Sequence, residues 1–325
     1  MNREDFVKAF QSKLAIRFSD GYQSWWHKFI FHFSDISNIT SILNSGKLYS
    51  RNNAIVLGVM KNDNASDEVI GNTDLNAKDF VRFYFGTGTP TQFHNEGFTP
   101  QNKIKNNAHC PLPIFLLFDF VKLLSREDSH FSSGNIASSE ANIYTDITAL
   151  ESLEFEYIYH RGYIQESPNK RHIIHCRHAE LLIPNALDIY DGLLYLCVRS
   201  QAEKETLVHF LSPERREYLS DKILIRSNGL FEPYRFYVER VSLVNQQIKI
   251  VFSMPTRDKY LFKTTVINHD TGAKRERDTG CISLESKDVS IRLDPQYIGN
   301  NIEFRLEIDG HLAYAHIFTD DTIIV

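Results

Sequence analysis

The chain has 325 residues, more than one hydrophobic core usually holds, so its length favours two domains. Its 42% hydrophobic and 24% charged residues exclude an intrinsically disordered chain, and its formal net charge of −5 excludes a general electrostatic attraction to nucleic acid. No apolar run is long enough to cross a bilayer, and residues 1–13 lack the apolar core of a signal peptide, so we expect a cytoplasmic protein without membrane contact.

The first clear pattern is a strand followed by a capped helix, between residues 29 and 46. The strand alternates, so that Ile30, His32 and Ser34 share one face and three phenylalanines share the other. Apolar residues then recur at helical spacing, after Asp35 as N-cap and before Gly46 as the left-handed residue that ends a helix. The pattern predicts a short helix directly after the strand.

Further apolar runs predict the rest of this first domain. A helix is expected at Ala202–Leu211, and the candidate strands are Val81–Phe85, Ile114–Phe120, Ala179–Ile183, Leu193–Val198 and Lys222–Arg226. These elements indicate an α+β domain with mixed or antiparallel pairing rather than a doubly wound parallel sheet.

The composition changes near residue 230. Beyond it, nearly every apolar run has the length of a short strand and is bounded by turn signals such as HDTG, IGNN and IDG. This pattern is typical of a small antiparallel sandwich or barrel. We therefore divide the chain into an α+β domain at 1–230 and an all-β sandwich at 231–325 that binds a partner or substrate, with Asn268–Arg277 as a charged hairpin tip.

The cysteines are widely spaced and form no CxxC pair, so neither a disulfide framework nor a thiolate zinc site is expected. We expect free thiols at Cys110, Cys176, Cys197 and Cys281. The usual glycine-rich phosphate motifs and the GxSxG motif are also missing from the sequence.

The densest group of polar side chains lies between His160 and Glu180. A metal site built from His172, His175 and His178 is disfavoured, because a three-residue step keeps them on one face of neither a strand nor a helix. The cationic segment is then either a solvated loop or an anion-binding edge. Glu180 itself begins an apolar run, so its carboxylate is either at the exposed start of a strand or held in a cleft.

Four landmarks give the chain a resemblance to a known family. They are FHFSDI at 31–36, ILNSGKL at 42–48, RFYF at 82–85 running to Thr89-Pro90, and AELLI at 179–183. In this order they resemble the DarT-type ADP-ribosyltransferases, including the CmdT-like branch that modifies mRNA. The resemblance covers roughly residues 25 to 230.

The resemblance implies an ADP-ribosyltransferase-like fold and an enzyme that transfers ADP-ribose from NAD+ to a nucleobase in single-stranded DNA or RNA. It also implies a toxin of a toxin–antitoxin or phage-defence system, restrained by an antitoxin protein, with a chaperone as a further candidate partner. NAD+ is then the co-substrate, and no metal is required.

The same resemblance assigns roles by motif position. His32 and Ser34 would contact NAD+, Tyr84 would border the nicotinamide pocket, and Glu180 would be the catalytic carboxylate. A carboxylate near the ribose stabilises the positive charge that develops as the bond to nicotinamide breaks. A neutral histidine can meanwhile hydrogen-bond a ribose hydroxyl.

Two departures from the family pattern concern arginines. Gly88 stands where familiar members carry an arginine after the FYF run, and residues 61–66 lack the arginine that engages NAD+ in the family. Arg51 is the nearest replacement. It is either a clamp on the NAD+ phosphates or the reaction centre, or an ordinary exposed arginine.

Contacts to the nucleic acid are predicted from aromatic and basic side chains. Tyr163 could stack on an unpaired base, and Arg161 and Arg171 could contact phosphates. Two other functions remain open: a noncatalytic binding protein that retains the fold, and an ADP-ribosyltransferase that acts on protein.

Overall fold

The computed structural model describes residues 1–61, 75–104, 108–164, 166, 168–226 and 229–319. Most of the 61–66 segment, in which the sequence lacks the family arginine, therefore lies outside the described residues. The strands of the first part of the chain are β1 (Phe29–Asp35), β2 (Lys47–Tyr49), β3 (Phe80–Tyr84), β4 (Pro113–Asp119), β5 (His130–Ser132), β6 (Ile143–Tyr144), β7 (Glu180–Pro184), β8 (Ala186–Asp188), β9 (Leu193–Val198) and β10 (Ile223–Ile225).

A mixed sheet organises this part of the chain, with the strand order β10-β9-β4-β1-β3-β7-β5-β6. β10 runs parallel to β9, and the other neighbouring strands are antiparallel. β2 and β8 form a separate two-stranded sheet. The expected α+β class with mixed pairing is confirmed, and each strand predicted from an apolar run is found within one residue of its predicted ends.

Helices pack around this sheet. Their bounds are α1 (Arg3–Arg17), α2 (Ile36–Ser45), α3 (Arg51–Val56), α4 (Pro90–Asn95), α5 (Phe120–Leu124), α6 (Phe155–Ile158), α7 (Lys170–Cys176), α8 (Gln201–Phe210) and α9 (Pro213–Leu219). Within the described ranges, none of these helices has both the length and the apolarity needed to cross a membrane. The four cysteines are free thiols, as expected.

The ends of α2 are fixed by the predicted residues. The Asp35 carboxylate accepts the backbone N–H of Ser37 at 3.0 Å and that of Leu112 at 3.3 Å, which ties the start of the helix to the strand beside it. Gly46 adopts a left-handed conformation with φ of 76°, and its N–H donates to the carbonyl of Ile42.

Strand β1 is covered on both faces. Ile30 and Phe31 are both fully buried, so the predicted alternation does not separate core from solvent. His32 and Ser34 border a cavity as a pair, but Phe33 from the opposite predicted face borders it too. Phe33, which the alternation places with the other phenylalanines, therefore also belongs to the cavity lining.

The last part of the chain forms two antiparallel sheets that share one apolar core. Their strand orders are β11-β12-β15 and β14-β13-β16-β17, where the strands are β11 (Val238–Val244), β12 (Gln247–Phe252), β13 (Thr256–Asn268), β14 (Lys274–Leu284), β15 (Asp288–Arg292), β16 (Ile302–Ile308) and β17 (His311–Phe318).

The charged hairpin predicted at Asn268–Arg277 is present between β13 and β14, but its second half is strand rather than turn. The turn occupies residues 269–273, and Lys274 begins an 11-residue strand that pairs with β13. Because β14 is the edge strand and is exposed along most of its length, its sequence carries charges in place of apolar alternation.

Helix α8 joins the two parts of the molecule. The hydroxyl of Thr206 accepts the backbone N–H of Ala315 at 3.2 Å, and the hydroxyl of Tyr314 donates to the Glu205 carboxylate at 2.7 Å. Ser200, the N-cap of α8, donates to the carbonyl of Val238. Helix α8 contributes to both apolar cores, with Leu207 in the core of the first part and Ala202 in the core of the last part.

Candidate active site

A cavity of about 590 Å³ lies beside β1, β3 and α2 and extends to the start of α3. Its volume is within the range of roughly 300–1,000 Å³ that is usual for small-molecule sites. Four predicted site residues line it, namely His32, Ser34, Arg51 and Tyr84.

The charges in the cavity wall are all of one sign. Lys47, Arg51 and Arg82 line the cavity, whereas no aspartate or glutamate of the described residues does. Clustered cations in a concave site focus a positive potential and suit an anionic group such as a diphosphate. The net charge of the whole chain conceals this local potential.

His32 is held in one tautomer. Its Nδ1 lies 3.0 Å from the carbonyl oxygen of Arg82, and because a carbonyl can only accept, Nδ1 carries the proton. Burial lowers the pKa of His32, so the ring is neutral near pH 7 and its Nε2 is an acceptor. This arrangement suits a hydroxyl donor such as a ribose hydroxyl.

Tyr84 and Phe33 form an aromatic wall. Their ring centroids are 6.3 Å apart at an interplanar angle of 28°. Burial raises the pKa of Tyr84 to about 12, and its hydroxyl is hydrogen-bonded to Thr91, which also lines the cavity. Tyr84 is therefore a neutral aromatic surface rather than a proton donor near pH 7.

Glu180 forms a bidentate ion pair with Arg82. In the antiparallel pair of β3 and β7, Glu180 lies opposite Tyr84, which makes Arg82 its diagonal neighbour on the same face. The Arg82 Nε donates to Oε1 at 3.0 Å, and Nη2 donates to Oε1 at 2.7 Å and Oε2 at 2.9 Å. The pair brings the predicted catalytic carboxylate to the wall of the cavity.

Glu180 does not itself open onto the cavity surface. Its side chain is fully buried, while the Arg82 side chain keeps 28% of its surface exposed. Burial raises the pKa of Glu180, and the neighbouring Arg82 opposes that rise. Burial alone would lower the pKa of Arg82, but the carboxylate beside it raises that pKa above its ordinary value. The carboxylate is thus one side chain away from the cavity.

The loop after β5 closes the other side of this ion pair. The Asn135 side chain lines the cavity, and its Oδ1 accepts from Arg82 Nη2 at 2.9 Å. The backbone N–H of Ile136 donates to Glu180 Oε2 at 3.4 Å, and the Ser132 hydroxyl accepts the N–H of Glu180. Arg82 therefore organises both Glu180 and Asn135.

Arg51 and Ser34 lie at other parts of the wall. Arg51 is half-buried at the first position of α3, directly after the N-cap Ser50. The hydroxyl of Ser34 accepts from Asn38 Nδ2 at 3.0 Å, and both side chains border the cavity. Predicted site residues from three separate segments thus meet in one cavity.

The three histidines considered for a metal site point to different surroundings. His178 lines the cavity, and burial lowers its pKa to about 4. His175 packs against Gly134. His172 instead lies near Glu154 and Cys176, where its Nε2 is 2.6 Å from a Glu154 oxygen, a distance that an ordinary hydrogen bond explains.

The predicted nucleic-acid contacts lie outside the cavity lining. The Arg161 guanidinium donates to the Thr87 hydroxyl at 3.1 Å and to the carbonyl of Phe231 at 2.6 Å, so it supports the loop that contains Gly88. Arg177 donates to the carbonyl of Gly88. Arg171 is exposed, and Tyr163 exposes 84% of its surface.

Sequence reasoning missed Arg82 and Asn135 as site residues. Arg82 stands two positions before Tyr84 in a strand, so alternation alone would have placed it on the face of Tyr84. Asn135 lies in a loop whose path depends on β7 and Arg82. No local pattern in the sequence marks it.

The part of the chain that forms the cavity is similar to known proteins. The family model for DarT, described as an ssDNA thymidine ADP-ribosyltransferase, matches residues 31–231. No curated protein sequence matches the chain at a significant level.

Solved structures with a similar fold include Thermus sp. 2.9 DarT in complex with ADP-ribosylated ssDNA. It is 17% identical, with a TM-score of 0.51 over 63% of this chain and 96% of that chain. The same Thermus protein in complex with NAD+ has a TM-score of 0.48 at 17% identity, over 63% of this chain and 98% of that chain. Thermosipho africanus DarTG in complex with ADP-ribose has a TM-score of 0.45 at 15% identity, over 65% of this chain and 53% of that chain.

Proposed function

This chain belongs to the DarT family, and from that membership we propose that it transfers ADP-ribose from NAD+ to thymidine in single-stranded DNA. The family match covers more than half of the chain. The chain is therefore an NAD+-dependent ADP-ribosyltransferase by family, with NAD+ as its co-substrate. The residues of the cavity support this assignment independently.

One observation carries the proposal most strongly: a cavity lined by three cations has a buried glutamate–arginine pair at its wall. NAD+ combines an anionic diphosphate with two riboses and an aromatic ring. The cations suit the diphosphate, the neutral His32 suits a ribose hydroxyl, and the wall of Phe33 and Tyr84 suits the flat nicotinamide.

The reaction breaks the bond between the ribose C1′ and the nicotinamide nitrogen, and the electron pair leaves with nicotinamide. Positive charge then develops on the ribose, where the Glu180 carboxylate stabilises it. Thymine N3 forms the new bond to C1′ and loses its proton, and we assign Glu180 as the base that accepts it. The remaining residues of the cavity bind and orient the dinucleotide.

A single strand is the substrate because the N3 edge of thymine is used for pairing in a duplex. We propose that the exposed Tyr163 and Arg171 contact this strand, since one offers a stacking surface and the other a charge for phosphate. Arg161 contributes through the Gly88 loop, because its guanidinium hydrogen-bonds the Thr87 hydroxyl of that loop and the carbonyl of Phe231.

We also propose that the chain is a toxin restrained by a protein partner. An adduct on the pairing edge of thymine blocks copying of the strand, so uncontrolled activity harms the cell that makes the enzyme. The sandwich at 231–325 is the docking surface that we assign to the partner. Induced expression should stop growth, whereas the Glu180→Gln variant should be tolerated. Normal growth with active enzyme would remove the toxin assignment.

One observation favours a second candidate, a noncatalytic binding protein. The Glu180 carboxylate is fully buried and paired in this structure, so it faces no ligand directly. In that case the cavity would still bind NAD+, but no nicotinamide would be released. Hydrogen bonds of catalytic groups often tighten or rearrange only when substrate binds, so the pairing does not by itself exclude catalysis.

Labelled NAD+ distinguishes these functions. The chain is incubated with NAD+ labelled in the adenylate and with separate pools of single-stranded DNA, RNA and protein. We expect label in DNA, and only in strands that contain thymidine. Label in RNA or protein alone would replace the proposed acceptor, and binding of NAD+ without label in any pool would establish the noncatalytic candidate.

A further inference from the structure

We propose that Arg82 is the positioning arginine of this reaction centre, holding the Glu180 carboxylate and the Asn135 side chain at the cavity wall. This inference rests on the proposed function, because it assigns Arg82 a part in the same reaction. Arg51, the arginine considered from the sequence as a clamp on the NAD+ phosphates or the reaction centre, does not make this ion pair with Glu180.

The first support is the geometry of the pair. Arg82 makes three hydrogen bonds to Glu180 with donor–acceptor distances from 2.7 to 3.0 Å. A planar guanidinium that meets a carboxylate through two nitrogens fixes the orientation as well as the position of both oxygens. A lysine at this position offers one point charge and cannot fix that orientation.

The second support is the burial of Glu180. A fully buried carboxylate is costly unless it is paired and hydrogen-bonded, and Arg82 supplies the opposite charge to it. Without the guanidinium, the carboxylate would take up a proton and lose the negative charge that the reaction needs. Arg82 therefore favours the ionised form of Glu180 as well as fixing its orientation.

The third support is the link to the loop. Arg82 Nη2 binds Asn135 Oδ1 and both oxygens of Glu180. Because its oxygen accepts from Arg82, the amide nitrogen of Asn135 is the group that remains as a donor at the cavity. The Arg82 guanidinium thus fixes the orientation of both the Glu180 carboxylate and the Asn135 amide.

Arg51 and Arg82 differ in their position relative to Glu180. Both arginines line the cavity, but the ion pair to Glu180 is made by Arg82. Arg51 lies on α3, outside the sheet that carries Glu180. We expect Arg51 to act on binding of the NAD+ diphosphate and Arg82 to act on the chemical step.

The test compares Arg82→Gln, Arg82→Lys and Arg51→Gln in steady-state kinetics of transfer to single-stranded DNA. Removing one preorganised electrostatic contact of a reaction centre, such as an oxyanion-hole donor, costs roughly 10²- to 10³-fold in kcat. We expect that loss for Arg82→Gln and a substantial loss for Arg82→Lys. Arg51→Gln should mainly raise KM for NAD+. A kcat for Arg82→Gln within threefold of the parent, with Arg51→Gln the slower enzyme, would overturn the inference.

Arg126 provides a matched control. Its side chain keeps 27% of its surface exposed, close to the 28% of Arg82, and it also makes a two-nitrogen contact with a carboxylate, that of Asp128. It does not line the cavity. Arg126→Gln should therefore keep the parent kcat, and thermal unfolding of both variants separates loss of fold from loss of chemistry.

The pH profile gives a readout that a purely structural role would not change. In the parent, Arg82 opposes the rise that burial causes in the pKa of Glu180. In Arg82→Gln this opposition is lost, so the carboxylate ionises only at higher pH, and activity should recover as pH is raised. A profile parallel to that of the parent would contradict the inference.

Infrared spectroscopy separates this inference from the proposed function, because it does not require turnover. At pH 7 the Arg82→Gln variant should show a protonated-carboxyl band that disappears in the double variant with Glu180→Gln. If the band appears in Arg82→Gln but the parent shows no transfer activity, the proposed function is wrong, whereas the role of Arg82 in favouring the ionised Glu180 stands. An active parent with no band in folded Arg82→Gln would overturn the role of Arg82 alone.

Discussion

At the scale of single residues, His32 shows how the backbone prepares a side chain for binding. The carbonyl of Arg82 accepts a hydrogen bond from Nδ1–H, so Nε2 remains an acceptor. The same residue that holds Glu180 through its side chain therefore holds His32 through its backbone. Residues 32, 82 and 180 form one connected unit across three strands.

This arrangement predicts the effect of removing the His32 acceptor. His32→Phe keeps an aromatic ring but loses Nε2, and a hydrogen bond of ordinary strength is worth about tenfold in affinity. We expect KM for NAD+ to rise by roughly that factor, with a smaller change in kcat. His130→Phe, a histidine on β5 outside the cavity lining, is the control and should leave KM unchanged. Equal effects of the two variants would remove His32 from the binding site.

At the scale of secondary structure, helix α2 forms one side of the cavity and depends on its C-terminal glycine. Asn38, Ser41, Ile42 and Ser45 of this helix line the cavity. Gly46 has φ of +76°, and a Cβ added there would lie 3.2 Å from the Tyr190 ring. The end of the helix therefore tolerates a side chain poorly, for both backbone and packing reasons.

Gly46→Ala should lower the free energy of unfolding by about 1 kcal/mol or more, because alanine is strained in the left-handed region and its methyl group meets Tyr190. Urea denaturation measures this loss. Gly58→Ala is the matched control, since Gly58 has φ of +64° with no atom near the added Cβ. If both variants lose the same stability, the Tyr190 contact contributes nothing.

Elements with local signals were predictable from the sequence, and elements defined by their neighbours were not. Asp35 and Gly46 mark the ends of α2 because their side chain and backbone conformation suit those positions. The buried strands are visible in the sequence as short runs of apolar residues. Strand β14 has neither signal, because an exposed edge strand needs no apolar face. The family landmarks pointed to Glu180, but its pairing with Arg82 follows from the register of β3 and β7, which no local pattern reveals.

At the scale of the whole molecule, a buried charge network connects the mixed sheet to the β-sandwich. Arg199 contacts Glu203 through Nε and is stacked 4.6 Å from the ring centre of Tyr237. Glu96 lies 3.8 Å from the same guanidinium and accepts the N–H of Glu232. These residues come from both sides of residue 230, so the two parts should unfold together.

Arg199→Gln should therefore destabilise the whole molecule. Removing one partner of a buried ion pair costs roughly 3–5 kcal/mol, because the remaining carboxylates are left uncompensated. We expect a single calorimetric transition at lower temperature. Arg240→Gln, at an exposed position of β11, should leave the transition within the error of the parent. Two separate transitions in the parent would contradict the coupling.

Stability should also fall in acid because of buried neutral histidines. Burial, with His311 nearby, lowers the pKa of His109 to about 4. Between pH 6.5 and 4 the imidazole binds a proton in the unfolded chain but not in the folded one. The free energy of unfolding therefore falls by up to ~3 kcal/mol as the pH is lowered through this window. Urea titrations across this window should show a shallower loss for His109→Gln. Parallel curves would show that His109 is not the group that titrates.

The proposed function requires that ADP-ribose be joined to a thymine base with the help of Glu180. The most direct measurement is the intact mass of a single-stranded oligonucleotide with one thymidine, after incubation with NAD+ and the chain. We predict a mass gain of one ADP-ribose, none on the matched oligonucleotide without thymidine, and none with Glu180→Gln. An unchanged mass with the folded parent, or an equal gain with Glu180→Gln, would contradict it.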